Sequence, residues 1–193
     1  MLNPAHVRAL VVRPTLEAME MWSPAAEELL MGTAMQESHL RHLHQLGAGP
    51  AVGLYQMEPA TAHDIVHRYL LTRSGIEARF ESAFQVVNSH DIDWREVAIE
   101  AVAMKLISDL RFATAMCRMR YFMVPAPLPA ADDVPGLAAY WKRHYNTPAG
   151  RGTVDEWVTN YRRLRAEEGC ARRRNDADTE ARELVHQGAP DGR

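Results

Sequence analysis

The chain lacks any apolar run near the ~20 residues a bilayer crossing needs, so no membrane insertion is expected. Cysteine is scarce: Cys117 and Cys170 are the only two in 193 residues, and they form no CxxC pair. Neither a disulfide framework nor a thiolate zinc site is indicated. Charge of one sign is not in excess either, because 22 Lys+Arg against 25 Asp+Glu leave −3. Such a surface exerts no overall pull on nucleic acid or an anionic membrane. The basic run Arg172-Arg173-Arg174 is short and sits in an acid-balanced tail, which adds no expectation of a nucleic-acid partner. The segment Met1-Leu2-Asn3-Pro4-Ala5-His6 has neither a basic region nor an apolar stretch after it, so no secretory signal is expected.

What is present is ordinary globular composition, 47% hydrophobic and 24% charged, in a length that suits one domain. A core burying roughly 70% of the unfolded surface is within reach at this size. No internal repeat is found.

The punctuation predicts a mainly α fold. Asn3-Pro4 opens a short helix that Pro14 stops, and Leu16–Trp22 forms a second. Ser23-Pro24 repeats the start signal for a helix to Glu37, with Ala26, Leu29, Leu30, Thr33, Ala34 and Glu37 at helical spacing. Glycines and Pro50 make 47–56 a loop leading into a short extended segment, Leu54-Tyr55-Gln56-Met57. Pro59 opens a helix to about Leu71, and a short helix is expected around Glu77–Val87. From Asp93 to Tyr121 runs one long buried helix, or two joined near Ser108-Asp109. The run Val124–Pro129 is a stiff connector. Helix resumes over Pro135–Tyr145 and breaks at Asn146–Gly152. Thr153-Val154-Asp155-Glu156 is a capping box starting a helix to about Glu168. The expected organisation is a domain over residues 1–168, with 1–23 as an N-terminal extension and 169–193 as a charged, flexible tail.

Three segments carry candidate chemistry: Ala34-Met35-Gln36-Glu37-Ser38-His39-Leu40, Gly53-Leu54-Tyr55-Gln56-Met57-Glu58-Pro59-Ala60-Thr61, and Tyr145-Asn146-Thr147-Pro148-Ala149-Gly150-Arg151-Gly152. Glu37 stands out on physical grounds. A general acid for glycosidic cleavage must keep its proton near neutrality, well above the ordinary ~4.3. Burial and a helix C-terminus both disfavour the carboxylate, and the stripe places Glu37 at the end of an apolar face. The competing reading is an ordinary solvated glutamate at a helix end.

In this order the three segments resemble the lytic transglycosylases of the goose-type lysozyme-like superfamily, over roughly residues 24–165. That family carries a helix ending in Glu-Ser, a Gly-Leu-Met-Gln stretch before a Pro-Ala-Thr helix start, and a Tyr-Asn-Ala-Gly segment. The resemblance implies a lysozyme-like helical domain with a cleft and no cofactor. Glu37 would be its catalytic acid, then base; Ser38, Gly53, Gln56, Tyr145 and Asn146 would be its substrate-binding residues. Gln56 would serve the sugar's N-acetyl group, and Gly53 a close backbone approach to the ligand. Tyr145 would orient the acid by a hydrogen bond. The implied partners are peptidoglycan glycan strands and other virion proteins. The implied place is a bacteriophage particle, its tail or an ejected component, acting in the host periplasm.

The sequence departs from the family pattern at Tyr55, Glu58 and Thr147-Pro148-Ala149. A non-enzymatic virion adaptor retaining the fold therefore stays open, as does a cytoplasmic helical interaction protein. Glu58 is a candidate second carboxylate, and Asp91 and Asp93 are the candidates for an inverting hydrolase. His39, His42 and His44 cluster, and His63 and His67 are spaced i, i+4, yet no His-Glu-x-x-His accompanies them and no metal site is expected. Met104, Met116, Met119 and Met123 are read as core filling.

Overall fold

The computed structural model describes residues 1–47, 49–83, 94, 96–147 and 150–187. The architecture is mainly α. In chain order it comprises α1 (Pro4–Val7), α2 (Arg13–Ala18), α3 (Pro24–Ser38), α4 (Pro59–Ile65), α5 (Ser74–Ser82), α6 (Ile99–Ser108), α7 (Leu110–Phe122), α8 (Val134–Trp141) and α9 (Val154–Gln187). Wider π-helical turns over Arg8–Val12, Val66–Leu70 and Lys142–Asn146 join or extend these. No helix among the described residues is long and apolar enough to cross a membrane.

Helix α3 is the central element. It is apolar nearly all round, and Ala26, Leu29, Leu30, Met31, Ala34 and Met35 are fully enclosed. Helices α7, α8 and α9 and the turn Arg8–Val12 pack around it. Ser23 caps its start by accepting from the Ala26 N–H. Midway, Gly32 lets the Trp157 indole of α9 come so close that a Cβ would sit 2.0 Å from a ring carbon. A side chain there would force the two helices apart.

Several expected boundaries shift for identifiable reasons. Pro14 does not end the first helix. The π turn over Arg8–Val12 precedes it, and the chain stays helical from Pro4 to Ala18. The expected long helix divides at Asp109, whose backbone is extended and whose carboxylate accepts from the Arg111 and Phe112 N–H groups to start α7. It also begins later than expected, at Ile99; Asp93 lies outside the described residues, as do residues 84–93 that would complete the segment around Glu77–Val87. The capping box at Thr153 and Glu156 forms as expected, through bonds of 2.8 and 3.2 Å. The helix it starts continues to Gln187 rather than ending near Glu168. Ala, Arg and Glu are good helix formers, and Arg163–Glu167 and Arg165–Glu168 pairs brace the stretch where an end was expected.

Residues 1–23 are core rather than extension. Val7, Val12, Leu16 and Met19 are buried, and so is Arg8. Its guanidinium bonds to Glu27 at 2.9 Å, Glu28 at 2.9 Å and Glu168 at 2.7 Å, joining the start of the chain to α3 and α9. Glu27 also accepts from Arg13 and from the Trp22 indole N–H, at 2.8 and 2.7 Å.

Candidate active site

Glu37 lies in the last turn of α3, and its neighbours explain why the helix stops there. The Ser38 hydroxyl donates back to the Ala34 carbonyl at 3.0 Å and accepts from the Leu40 N–H at 3.2 Å. His39 and Leu40 then take left-handed backbone angles, φ 51° and 53°. Ser38 is fully buried and spends its hydroxyl on these bonds. It therefore presents no surface to a ligand, which corrects the substrate-binding expectation; its work is to end the helix and fix the residue before it.

The Glu37 carboxyl is half-buried and opens into a cleft of about 850 Å³. Burial pushes it up to about 7, against the opposing pull of the Trp141 indole N–H, which donates to Oε1 at 2.8 Å. The negative end of the α3 dipole acts in the same direction as burial. Near neutrality the group is thus divided between acid and base forms, while one directional bond holds it in place.

Gln56, Tyr145 and Asn146 line the same cleft as Glu37, so four of the six expected site residues converge. Gln56 holds a left-handed backbone, φ 46°, and its amide nitrogen donates to the Gly53 carbonyl at 2.9 Å. A second, longer bond of 3.4 Å reaches the His42 carbonyl. The amide oxygen has no partner among the described residues, leaving an acceptor beside the acid.

Tyr145 does not orient the acid as expected. Its hydroxyl donates to the Tyr55 carbonyl at 2.9 Å, clamping the turn after α8 onto the 53–57 segment. The acid is oriented by Trp141, one helical turn earlier. Asn146 accepts from Lys142 at 2.7 Å, and the same ammonium donates to the Gly150 carbonyl at 2.7 Å, closing the loop wall.

Gly53 is also reassigned. With φ 75°, it turns the chain against the α6 backbone, where a Cβ would sit 2.1 Å from the Leu106 carbonyl oxygen. The close approach that requires glycine is to α6 and not to a ligand. Nor is 54–57 extended as a unit: Val52 pairs with Met57 and with His44 in isolated bridges, and 53–56 form the turn between. Tyr55 is core, with its hydroxyl 3.1 Å from Thr114.

Glu58 is exposed at the start of α4 and lines the cleft, making no capping bond to its own helix. Asp91 and Asp93 lie outside the described residues. The His63 and His67 rings stack with centroids 4.1 Å apart. Among the described residues no three His, Cys, Asp or Glu converge as metal ligands.

Two cleft residues were missed by sequence reasoning. The signal for Trp141 was available, since it precedes Tyr145 by four and shares its helix face. Gly152 supports that position, because a Cβ there would come within 2.6 Å of the Trp141 ring. Arg120 of α7, also in the lining, carried no local signal. No protein-family model, no curated protein and no solved structure matches the chain, so its function is read from this geometry.

Proposed function

We propose that the protein is a peptidoglycan-cleaving lytic transglycosylase with Glu37 as its single acid/base, carried by a phage particle to open the host wall. The observation that carries this reading is the state of Glu37. It is a carboxyl held near pH 7 by burial, fixed by the Trp141 N–H, and facing a cleft walled by amides and hydroxyls. The cleft volume lies within the range of small-molecule sites, and side chains that donate and accept are what a glycan strand needs. The order of the three sequence segments supports the assignment, and the convergence of Glu37, Gln56, Tyr145 and Asn146 agrees with it.

In the proposed reaction, protonated Glu37 gives its proton to the oxygen joining N-acetylmuramic acid to N-acetylglucosamine. The bond from that oxygen to the muramic C1 breaks, with the neighbouring acetamido group supporting the positive charge. The muramic C6 hydroxyl then attacks C1 and returns its proton to the Glu37 carboxylate. The product carries a 1,6-anhydro ring, and the enzyme regains its starting state. One carboxyl serves both steps, so its proton affinity must lie near the working pH, where Glu37 stands.

The test is a zymogram on purified sacculi with wild type and Glu37→Gln, followed by mass analysis of the fragments. Expected are anhydro-ended muropeptides from wild type and a loss of about 10³-fold or more in the variant. Reducing ends would replace transglycosylation by hydrolysis. No clearing by either protein would favour the adaptor reading.

A further inference from the structure

We infer that Arg120 recognises a carboxylate borne by the muramyl unit of the glycan, and so makes the cleft selective for acid-bearing over neutral N-acetylated strands. The inference rests on the proposed glycan-cleaving function and assigns that site its substrate class.

Several of the chain's other cations are committed to partners. Buried Arg8 is surrounded by Glu27, Glu28 and Glu168, and the loop cation Lys142 is committed to Asn146 and Gly150. Arg13, Arg68, Arg79, Arg163 and Arg165 each meet a carboxylate. Arg120 differs. It is half-buried in the wall of the cleft, and among the described residues its guanidinium has neither an ion pair nor a hydrogen bond. Five N–H donors partly withdrawn from water gain most from a planar anion that can take two of them at once.

The obvious internal candidate does not fill that role. The Glu37 carboxyl is raised by burial, against the Trp141 N–H that lowers it. Arg120 forms neither an ion pair nor a hydrogen bond with it, so the guanidinium does not lie against the acid and hold it ionised. That separation is functionally apt, because a guanidinium beside Glu37 would strip its proton and abolish the general acid. Placed in the same cleft but apart from the acid, Arg120 can hold an anionic substituent on a sugar ring while the glycosidic oxygen sits at Glu37. The charge balance agrees. With Glu37 protonated, the described lining holds Arg120 and Arg151 against Glu58, a net of +1, on a chain whose total is −3. A positive recess on a negative molecule selects anions locally.

Two carboxylates on a muramyl unit share this chemistry: the lactyl group of a peptide-free sugar and the acids of an attached stem peptide. Calorimetric titration separates them with three probes, the peptide-free N-acetylglucosaminyl–N-acetylmuramic acid disaccharide, the same disaccharide bearing its stem peptide, and neutral N,N′-diacetylchitobiose (hereafter chitobiose). Wild type should bind at least one acid-bearing probe more tightly than chitobiose. Arg120→Gln should weaken that probe by roughly 10–100-fold and leave chitobiose unchanged. Arg120→Lys, which keeps the charge but not the fork, should recover part of the loss. A loss confined to the peptide-free probe assigns the lactyl group, and one confined to the other assigns the stem.

Equal weakening of all three probes, or no weakening by Arg120→Gln in protein with an unchanged melting midpoint, overturns the inference. Should Arg120→Gln not fold, Arg120→Lys decides by the same comparison. Wild type that binds and cleaves glycan without regard to the carboxylate removes only this inference. Wild type that binds none of the probes and clears no sacculi removes the function beneath it as well.

Discussion

Helix α3 carries a glutamate in its first turn and another in its last, and the two are held in opposite states. Burial alone would push both carboxyls up. At Glu27 the hydrogen bonds from Arg13, Trp22 and Arg8 overturn that effect, and the group falls to about 2. At Glu37 the sole hydrogen-bond donor among the described residues is the neutral Trp141 indole, burial wins, and the group stands at about 7. The same residue type on the same helix becomes a permanent anion at one end and a proton carrier at the other. The difference lies in the charge of the donors that meet each carboxyl, reinforced by the dipole, which favours an anion only at the first turn.

The widest separation between the two should appear in stability. Glu27→Gln removes the anion shared by Arg8 and Arg13, and denaturant melts at pH 7 should show a loss of roughly 3–5 kcal/mol. Because the folded Glu27 is depressed, its contribution is present above about pH 4.5 and fades as pH falls towards 2. The gap between wild type and variant should close along that path. Glu37→Gln should do the reverse. A raised carboxyl makes the folded state lose stability as pH climbs from about 4.5 through 7. The variant should therefore match wild type near pH 4 and exceed it by roughly 2 kcal/mol at pH 8, allowing for partial solvent screening. A destabilised Glu37→Gln at pH 8 would contradict the assignment of the two ends.

The contrast can be sharpened by removing the donor at the chemical end. Trp141→Phe takes away the N–H that lowers the Glu37 carboxyl, so the alkaline limb of the pH–activity profile should move up by about one unit. A profile that stays in place would mean that the indole only packs. The smallest effect is expected at Tyr145→Phe, which loses the bond to the Tyr55 carbonyl. Melts should fall by about 1 kcal/mol, and the pH profile should not move. A shifted profile would return to Tyr145 the orienting role that Trp141 holds in the structure.

The parts of this site that could be read in advance were those encoded locally. Ser23 and Pro24 mark the start of α3, and the stripe from Ala26 to Ala34 places Glu37 on the buried side of its last turn. The Asn3 cap and the Thr153–Glu156 box are likewise local and appear where their residues stand. What escaped depends on partners far along the chain. Trp141 reaches Glu37 across 104 positions. Nothing near Gly53 reveals that α6 will press on it. Tyr145 was placed in the right cleft with the wrong partner, since a phenol's bond is decided by whichever acceptor the fold brings closest. Residues 1–23 look like an appendage because their ion-pair partners lie in two later regions, Glu27 and Glu28 in α3 and Glu168 in α9.

The clasp made by Arg8 also bears on how the molecule matures. It joins residues 160 positions apart, so the ribosome must deliver Glu168 before the guanidinium can receive all its counterions. Synthesis at roughly 5–20 residues per second puts many seconds between the two. During that interval Arg8 has two of its three carboxylates, Glu27 and Glu28, and the carboxyl at the tip of α3 lacks the complete last helix that packs beside it. The two ends of α3 thus reach their opposite states only after translation has passed residue 168.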